Sequence, residues 1–267
     1  SEYETIQLAI NESRNGDTVM VEDGIYTGNW NKNLHFLGKT IHVRSENGPD
    51  VCIIDCEWDG RGALFNDGET NGSVLEGFTI RNGTGTAAAI PASGVYGGGV
   101  FTYNAPAFIK NNVFENCGYT SVSAFSAGGA IACYNGNVTI SGNTISGCRA
   151  QSGGGIYLYL ANAVVSGNTI SGSVPHLEYT GTRNGGGIYA LHSTVTMSGN
   201  VISGTSGYKD GGGVYARFST LSTDGDSILS NECLTNGGGI FGERSPLSIG
   251  RTVLRGNYAA SMGGGIY

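Results

Sequence analysis

The chain has 267 residues, 47 of them Gly and 5 Pro, with 13% charged residues and a net charge of −7. A charged share about half the usual excludes a chain held open by self-repulsion, and 39% hydrophobic residues supply a core at this length. With 14 Lys and Arg and no basic run, nucleic acid and anionic membrane are poor partners, and no stretch is apolar enough for a membrane span.

Residues 2–14 read as a short amphipathic helix, with Ile6, Ala9 and Ile10 at i, i+3, i+4 and Gly16 ending it. Asp17–Val21 reads as a strand, followed by a turn at Asp23-Gly24. A small apolar helix before the first strand suits a plug over the open end of a solenoid. Further strand runs are expected at Thr40–Val43, Val51–Ile54, Ala63–Phe65 and Val74–Ile80, between turn clusters.

From Gly97 a repeat is clear. The pentapeptide Gly-Gly-Gly-Ile-Tyr or a variant starts at Gly97, Gly128, Gly153, Gly185, Gly211, Gly237 and Gly263, at intervals of 31, 25, 32, 26, 26 and 26 residues. A period in this range marks a stacked repeat architecture. Each unit holds three short β-branched runs broken by Gly, Asn and Ser, and none has room for a useful helix. The expected fold is all-β, a single-chain parallel β-helix solenoid. It has three short strands per coil, about 9–10 coils some 4.8 Å apart, and right-handed crossovers. One domain is expected: a cap at 1–16, irregular opening coils at 17–96 and regular coils at 97–267.

Aligning the units turns positions into columns. Val100, Ile131, Ile156, Ile188, Val214, Ile240 and Ile266 form an interior column. The next position faces the other way, and gives an outer aromatic column of Phe101, Tyr157, Tyr189, Tyr215 and Phe241, interrupted by Ala132. A second one, Tyr103, Tyr134 and Tyr159, lies beside it before giving way to Leu191, Arg217 and Glu243. These rings are the candidate binding residues, for carbohydrate or another subunit. Asn112, Asn143, Asn168, Asn200, Asp226 and Thr252 form a turn ladder, in which Asn takes a left-handed backbone and bonds the coils above and below.

Of the six Cys, Cys117 and Cys148 are stacked neighbours, either disulfide-bonded or a reduced pair; Cys133 points inward as a small filler, and Cys52 and Cys56 flank a turn. Extra length enters in one place, just before the glycines, at 82–96, 119–127 and 173–184. This loop edge, with Tyr96, Tyr119, Phe125, His176, Glu178, Tyr179, Tyr208, Lys209 and Asp210, is where a site is best sought.

The opening YETIQLAINESRNGDTVMVEDGIYTGN resembles the capping start of bacterial right-handed parallel β-helix proteins of the pectate-lyase-like superfamily. The segment CIIDCEWDGRGALFNDGETNGSVLEGFTIRNG followed by GGG repeats is similar to secreted members of that group. The repeats also resemble chlamydial polymorphic outer-membrane protein passengers. Their GGAI stands within Ala127–Ile131, and their Phe-x-x-Asn appears loosely at Val113–Asn116, Ile228–Asn231 and Leu254–Asn257. The resemblance implies a right-handed β-helix over essentially the whole chain, and says little of function because the fold hosts many.

It also implies what an enzyme of this class would need: paired or tripled Asp for hydrolysis, or a cation with a Lys or Arg base for a lyase. No Asp-Asp pair or acidic column is present, and Lys32, Lys39, Lys110 and Lys209 sit beside no acidic cluster in the repeat register. The nearest approach to metal spacing is Asp55, Glu57 and Asp59, a calcium candidate whose third position is Glu and whose twelfth, Asn66, is not acidic. The four His are scattered. No cofactor is expected beyond that Ca²⁺ candidate.

The sequence leads to a non-catalytic extracellular β-helix protein, structural or adhesive, meeting a polysaccharide or cell-surface ligand along its aromatic face. The final GGGIY starts a coil whose remaining strands do not follow, so a fragment, or head-to-tail self-association into filaments through that end, is expected. The alternative function is a lyase or glycoside hydrolase on acidic polysaccharide, working from the loop edge.

Overall fold

The structure is a computed structural model describing residues 2–85, 94–118, 125–174 and 184–267. Alternating inward Val, Ile and Leu with outward Thr, Ser and Asn writes the period-2 pattern of a strand, and turns at Gly, Asn and Ser cut it into short pieces. Three long all-parallel sheets result, beside a two-stranded and a three-stranded parallel one. The first holds nine strands from Thr18–Val21 to Leu247–Ile249, the second nine from Gly24–Tyr26 to Val253–Arg255, and the third eight from Leu34–His35 to Ile240–Glu243. Each strand bonds only to its counterparts one coil before and after, so the described residues form nine coils.

The register matches the repeat. Val100 pairs with Ile131, Ile131 with Ile156, Ile156 with Ile188, Ile188 with Val214 and Val214 with Ile240. All six are fully buried in one continuous core with Leu75, Ile109, Ile140, Val165, Ile170 and Ile202. The opening coils belong to the same three sheets: Ala63 pairs with Val100 and Leu75 with Ile109. Their irregularity is confined to the corners. Val74–Ile80, expected as one strand, is two, Val74–Glu76 and Thr79–Arg81, in different sheets, because Gly77 at φ +80 turns the chain. The pairs Gly24–Tyr26 and Leu34–His35 are strands too short to show a period.

The N-terminal helix spans Ile6–Glu12, shorter than the sequence suggests, and buries Ile6 and Ile10. Thr5 caps its start. Its C-terminal carbonyls are closed by the Lys39 ammonium, which donates to Ile10 O and Asn11 O at 2.7 Å and to Ser13 O at 2.9 Å. The Gln7 amide bonds both ways with the backbone of His35, at 3.0 and 2.7 Å, and so stands in for a further rung on the third sheet. No helix among the described residues is long and apolar enough to cross a membrane.

The turns carry the left-handed residues, one position earlier than the sequence reading placed them. Asn111, Gly142, Gly167, Gly199 and Gly225 have φ between +56 and +69, and the ladder residue follows each. The ladder Asn are therefore free to bond. Asn112 N, Asn143 N and Asn168 N donate to the Oδ1 of the next Asn at 2.9, 2.9 and 3.0 Å, and Asn200 N to Asp226 Oδ1 at 2.7 Å. All five are buried. Thr252 leaves the ladder and bonds the Thr223 hydroxyl instead.

Candidate functional site: an aromatic corner along the rod

The site is built from the glycine pentapeptide. The first glycine is left-handed, Gly97 at φ +57. A Cβ on Gly98 would lie 2.6 Å from Gly129 O, and one on Gly99 2.7 Å from Ala130 O. Glycine, replaced only by Ala130 at the third position, lets successive coils touch at this corner. The strand that follows then sends its first residue into the core and its second out onto the third sheet's outer face.

That outer face is not open. Tyr157, Tyr189, Tyr215, Phe241 and Tyr267 stack at ring-centroid distances of 5.3, 4.8, 5.0 and 5.5 Å with planes within 18°. Tyr96 and Phe125, from the loop edge, lie over its beginning: Tyr96 packs on Phe101 at 5.6 Å, and Phe125 on Tyr96 at 5.9 Å and on Tyr157 at 6.4 Å. Phe101, Tyr157, Tyr215 and Phe241 are buried and Tyr189 half-buried. With Tyr96, Ala127 and Ala132, Phe101 and Tyr157 make a second apolar cluster outside the main core. Burial pushes the Tyr96 and Tyr189 phenols up to about 12 and raises those of Tyr157 and Tyr215 further, so all four stay protonated at neutral pH.

The accessible rings belong to the second column. Tyr103, Tyr134 and Tyr159 are half-buried and run along the corner at 5.6 and 4.6 Å. Sequence columns place Leu191 and Arg217 next, but the row of rings continues through residues the alignment did not single out. His192 and Phe218 have φ +51 and +49, which swings each ring into line. His192 lies 6.2 Å from Tyr159 and 5.1 Å from Phe218, in the latter case with planes 3° apart. The Arg217 and Arg244 guanidinium groups lie 5.0 and 5.4 Å from the Phe218 centroid. Arg217 is held by Glu243 at 3.0 Å. The signal was present in the columns: His192 and Phe218 align with Asn104 and Asn135, residues suited to left-handed turns.

The other expected groups sit elsewhere. Tyr119, His176, Glu178 and Tyr179 lie outside the described residues. The calcium candidates do not converge. Asp55 takes Arg81 at 2.8 Å and Asn82 at 3.0 Å, while Glu57 and Asp59 face Lys32 at 3.0 and 3.6 Å. Against desolvation, the Glu57 N–H with Asn82 and Arg81 holds the Asp55 carboxyl below its usual range, and the Gly28 N–H with Lys32 does the same for Glu57. Among the described residues no group of three or more His, Cys, Asp or Glu is placed to hold a metal ion. Glu76, bonded to Lys110 at 3.0 Å and His42 at 2.7 Å, is likewise kept ionised.

All six Cys are buried and free. Cys117 and Cys148, in adjacent coils, are free thiols that donate to Ile80 O at 3.4 Å and Ser146 O at 3.5 Å, and burial raises the Cys148 thiol well above its ordinary value. Cys133 points inward as expected, its thiol pushed up to about 11. A cleft of about 620 Å³ lies away from the aromatic corner, between the capping helix and the first coil, with Ile6, Val19 and Val21 among its walls.

The family model described as a right-handed β-helix region matches residues 13–267. No curated protein and no solved structure matches the chain. The parallel three-sheet coil, the in-register interior column and this match over nearly the whole length lead to one conclusion: the chain belongs to the right-handed β-helix family.

Proposed function

We propose that this chain is a non-catalytic extracellular β-helix rod, structural or adhesive in type, that docks carbohydrate along its aromatic corner. The observation that carries the reading is the half-exposed row Tyr103, Tyr134, Tyr159, continued by His192 and Phe218, at one ring per coil. Rings 4.6–6.2 Å apart and variously tilted, one per coil on a rigid scaffold, offer apolar surface to sugar rings at low entropic cost. At the corner itself, the Glu243 carboxylate is paired with Arg217 at 3.0 Å. Asp55, Glu57, Glu76 and Asp224 each have a cationic partner, and each is held below its usual pKa, the reverse of what a general acid requires.

The test is a panel of neutral and acidic polysaccharides, followed by affinity electrophoresis and by assays for reducing ends and unsaturated products. Retardation on at least one polymer with no product is expected. Specific turnover of any polymer would sink the reading in favour of a lyase or hydrolase, and the absence of retardation on every polymer would remove carbohydrate as the ligand.

A further inference from the structure

The buried amide ladder ends on a carboxyl group. At Asn112, Asn143, Asn168 and Asn200 the side chain does two jobs. Its Nδ2 donates to the first-sheet carbonyl one coil back, that of Leu75, Ile109, Ile140 and Val165 in turn, at 2.8–3.0 Å. At the last three its Oδ1 also accepts the backbone N–H and the Nδ2 of the preceding ladder residue. Asp226 does the accepting job without alteration, taking Asn200 N and Asn200 Nδ2 on Oδ1, both at 2.7 Å. Its Oδ2 occupies the position of the missing Nδ2. That atom is buried with no hydrogen-bond partner, on a residue with 0% exposure.

The register identifies what Oδ2 faces. Val165 pairs with Met197, so the carbonyl in the place held earlier by Leu75, Ile109, Ile140 and Val165 is that of Met197. An ionised carboxylate would set a negative oxygen against a carbonyl oxygen in the dry interior, an arrangement whose desolvation cost the two Asn200 bonds on Oδ1 only partly offset. A protonated carboxyl has the donor that the amide has.

We propose that Asp226 is protonated in the folded protein and acts as an amide-like rung, its Oδ2–H donating to the Met197 carbonyl, so that losing the proton loosens the contact between the coils at 188–203 and 214–229. The rod thus carries an alkali-sensitive latch. The charged groups around it are few. Asp224 adds negative charge and is itself held by Arg251 at 2.6 Å; Arg255 is exposed; the strands Thr194–Ser198, Val201–Ser203, Ser227–Leu229 and Leu247–Ile249 bring no titratable side chain. Burial is the largest cause raising this carboxyl above its ordinary 3.8; the Asn200 bonds and the Asp224 backbone oppose it, and the Asp224 charge reinforces it. A folded pKa above the unfolded one means the contribution is complete below about 3.8 and is lost as pH rises through the folded value.

Two measurements test it. In the wild-type chain, the Asp226 ¹³Cγ resonance is expected to titrate above every other Asp; titration at or below the ordinary Asp range overturns the proposal. The Asp226→Asn variant restores the amide without changing the shape. Its unfolding midpoint is expected to match wild type at pH 4 and to exceed it increasingly up to pH 8. A variant midpoint at or below wild type throughout that range overturns the proposal equally.

Discussion

Single side chains decide whether neighbouring coils stay in contact. Asn168 Oδ1 accepts from Asn143 N at 2.9 Å and from Asn143 Nδ2 at 3.0 Å, and its own Nδ2 reaches Ile140 O and Asn200 Oδ1, both at 2.9 Å. Asn168→Ala strands several buried polar groups at once, each costing about 1–3 kcal/mol. Urea unfolding is therefore expected to show a loss of about 3 kcal/mol or more. Asn137→Ala, on the exposed bond to Asn162, is expected to stay within about 0.5 kcal/mol. Acid acts through other carboxyls. Asp55 and Glu76 have folded pKa values below their ordinary 3.8 and 4.5, so their contribution is present above those values and is lost as pH falls through the folded ones. Asp226 has the opposite sign. The thermal midpoint should thus fall on both flanks, and Glu76→Gln should flatten the acid flank alone. An acid flank unchanged in that variant would show that the Glu76 cluster contributes nothing measurable.

At the scale of the repeat element, two kinds of glycine do different work. Gly129 faces the next coil so closely that a Cβ would lie 2.2 Å from Gly154 O, whereas Gly199 is left-handed at φ +63 with nothing within 4 Å. Gly199→Ala should cost only the left-handed strain, about 1–2 kcal/mol. Gly129→Ala must displace backbone and should cost clearly more; equal losses in denaturant unfolding would contradict the close-approach account. This difference explains what was legible in the sequence. The GGGIY spacing exposed the period, the interior Val/Ile column and the amide ladder, because each recurs through successive coils from Gly97 on. The one-residue offset of the left-handed position was not legible, since Gly and Asn both suit a turn and composition alone does not separate the residue that turns from the residue that bonds. The capping helix was visible in Ile6, Ala9 and Ile10, but the three Lys39 bonds that close it come from a residue 27 positions after Glu12 and leave no local trace.

At the scale of the whole molecule, the fold was legible and the site only partly so. Stacking nine coils fixes every outward residue in a line, so columns drawn from the sequence became real columns in space. What the columns could not tell is which of them is covered. Phe101 and Tyr157 pass under Tyr96 and Phe125, which arrive from the loop edge with no periodic relation to the repeat. The accessible face is consequently the Tyr103–Tyr134–Tyr159 row with His192 and Phe218. The proposal that this corner docks carbohydrate without chemistry is tested most directly by calorimetric titration of a retained polysaccharide into wild type and into Tyr134→Ala/Tyr159→Ala, with folding checked by circular dichroism. Loss of two stacking faces at about 0.5–1.5 kcal/mol each predicts affinity weakened roughly 5- to 150-fold, with no product formed by either chain. Unchanged affinity in the folded double variant, or product formed by the wild type, would contradict the account.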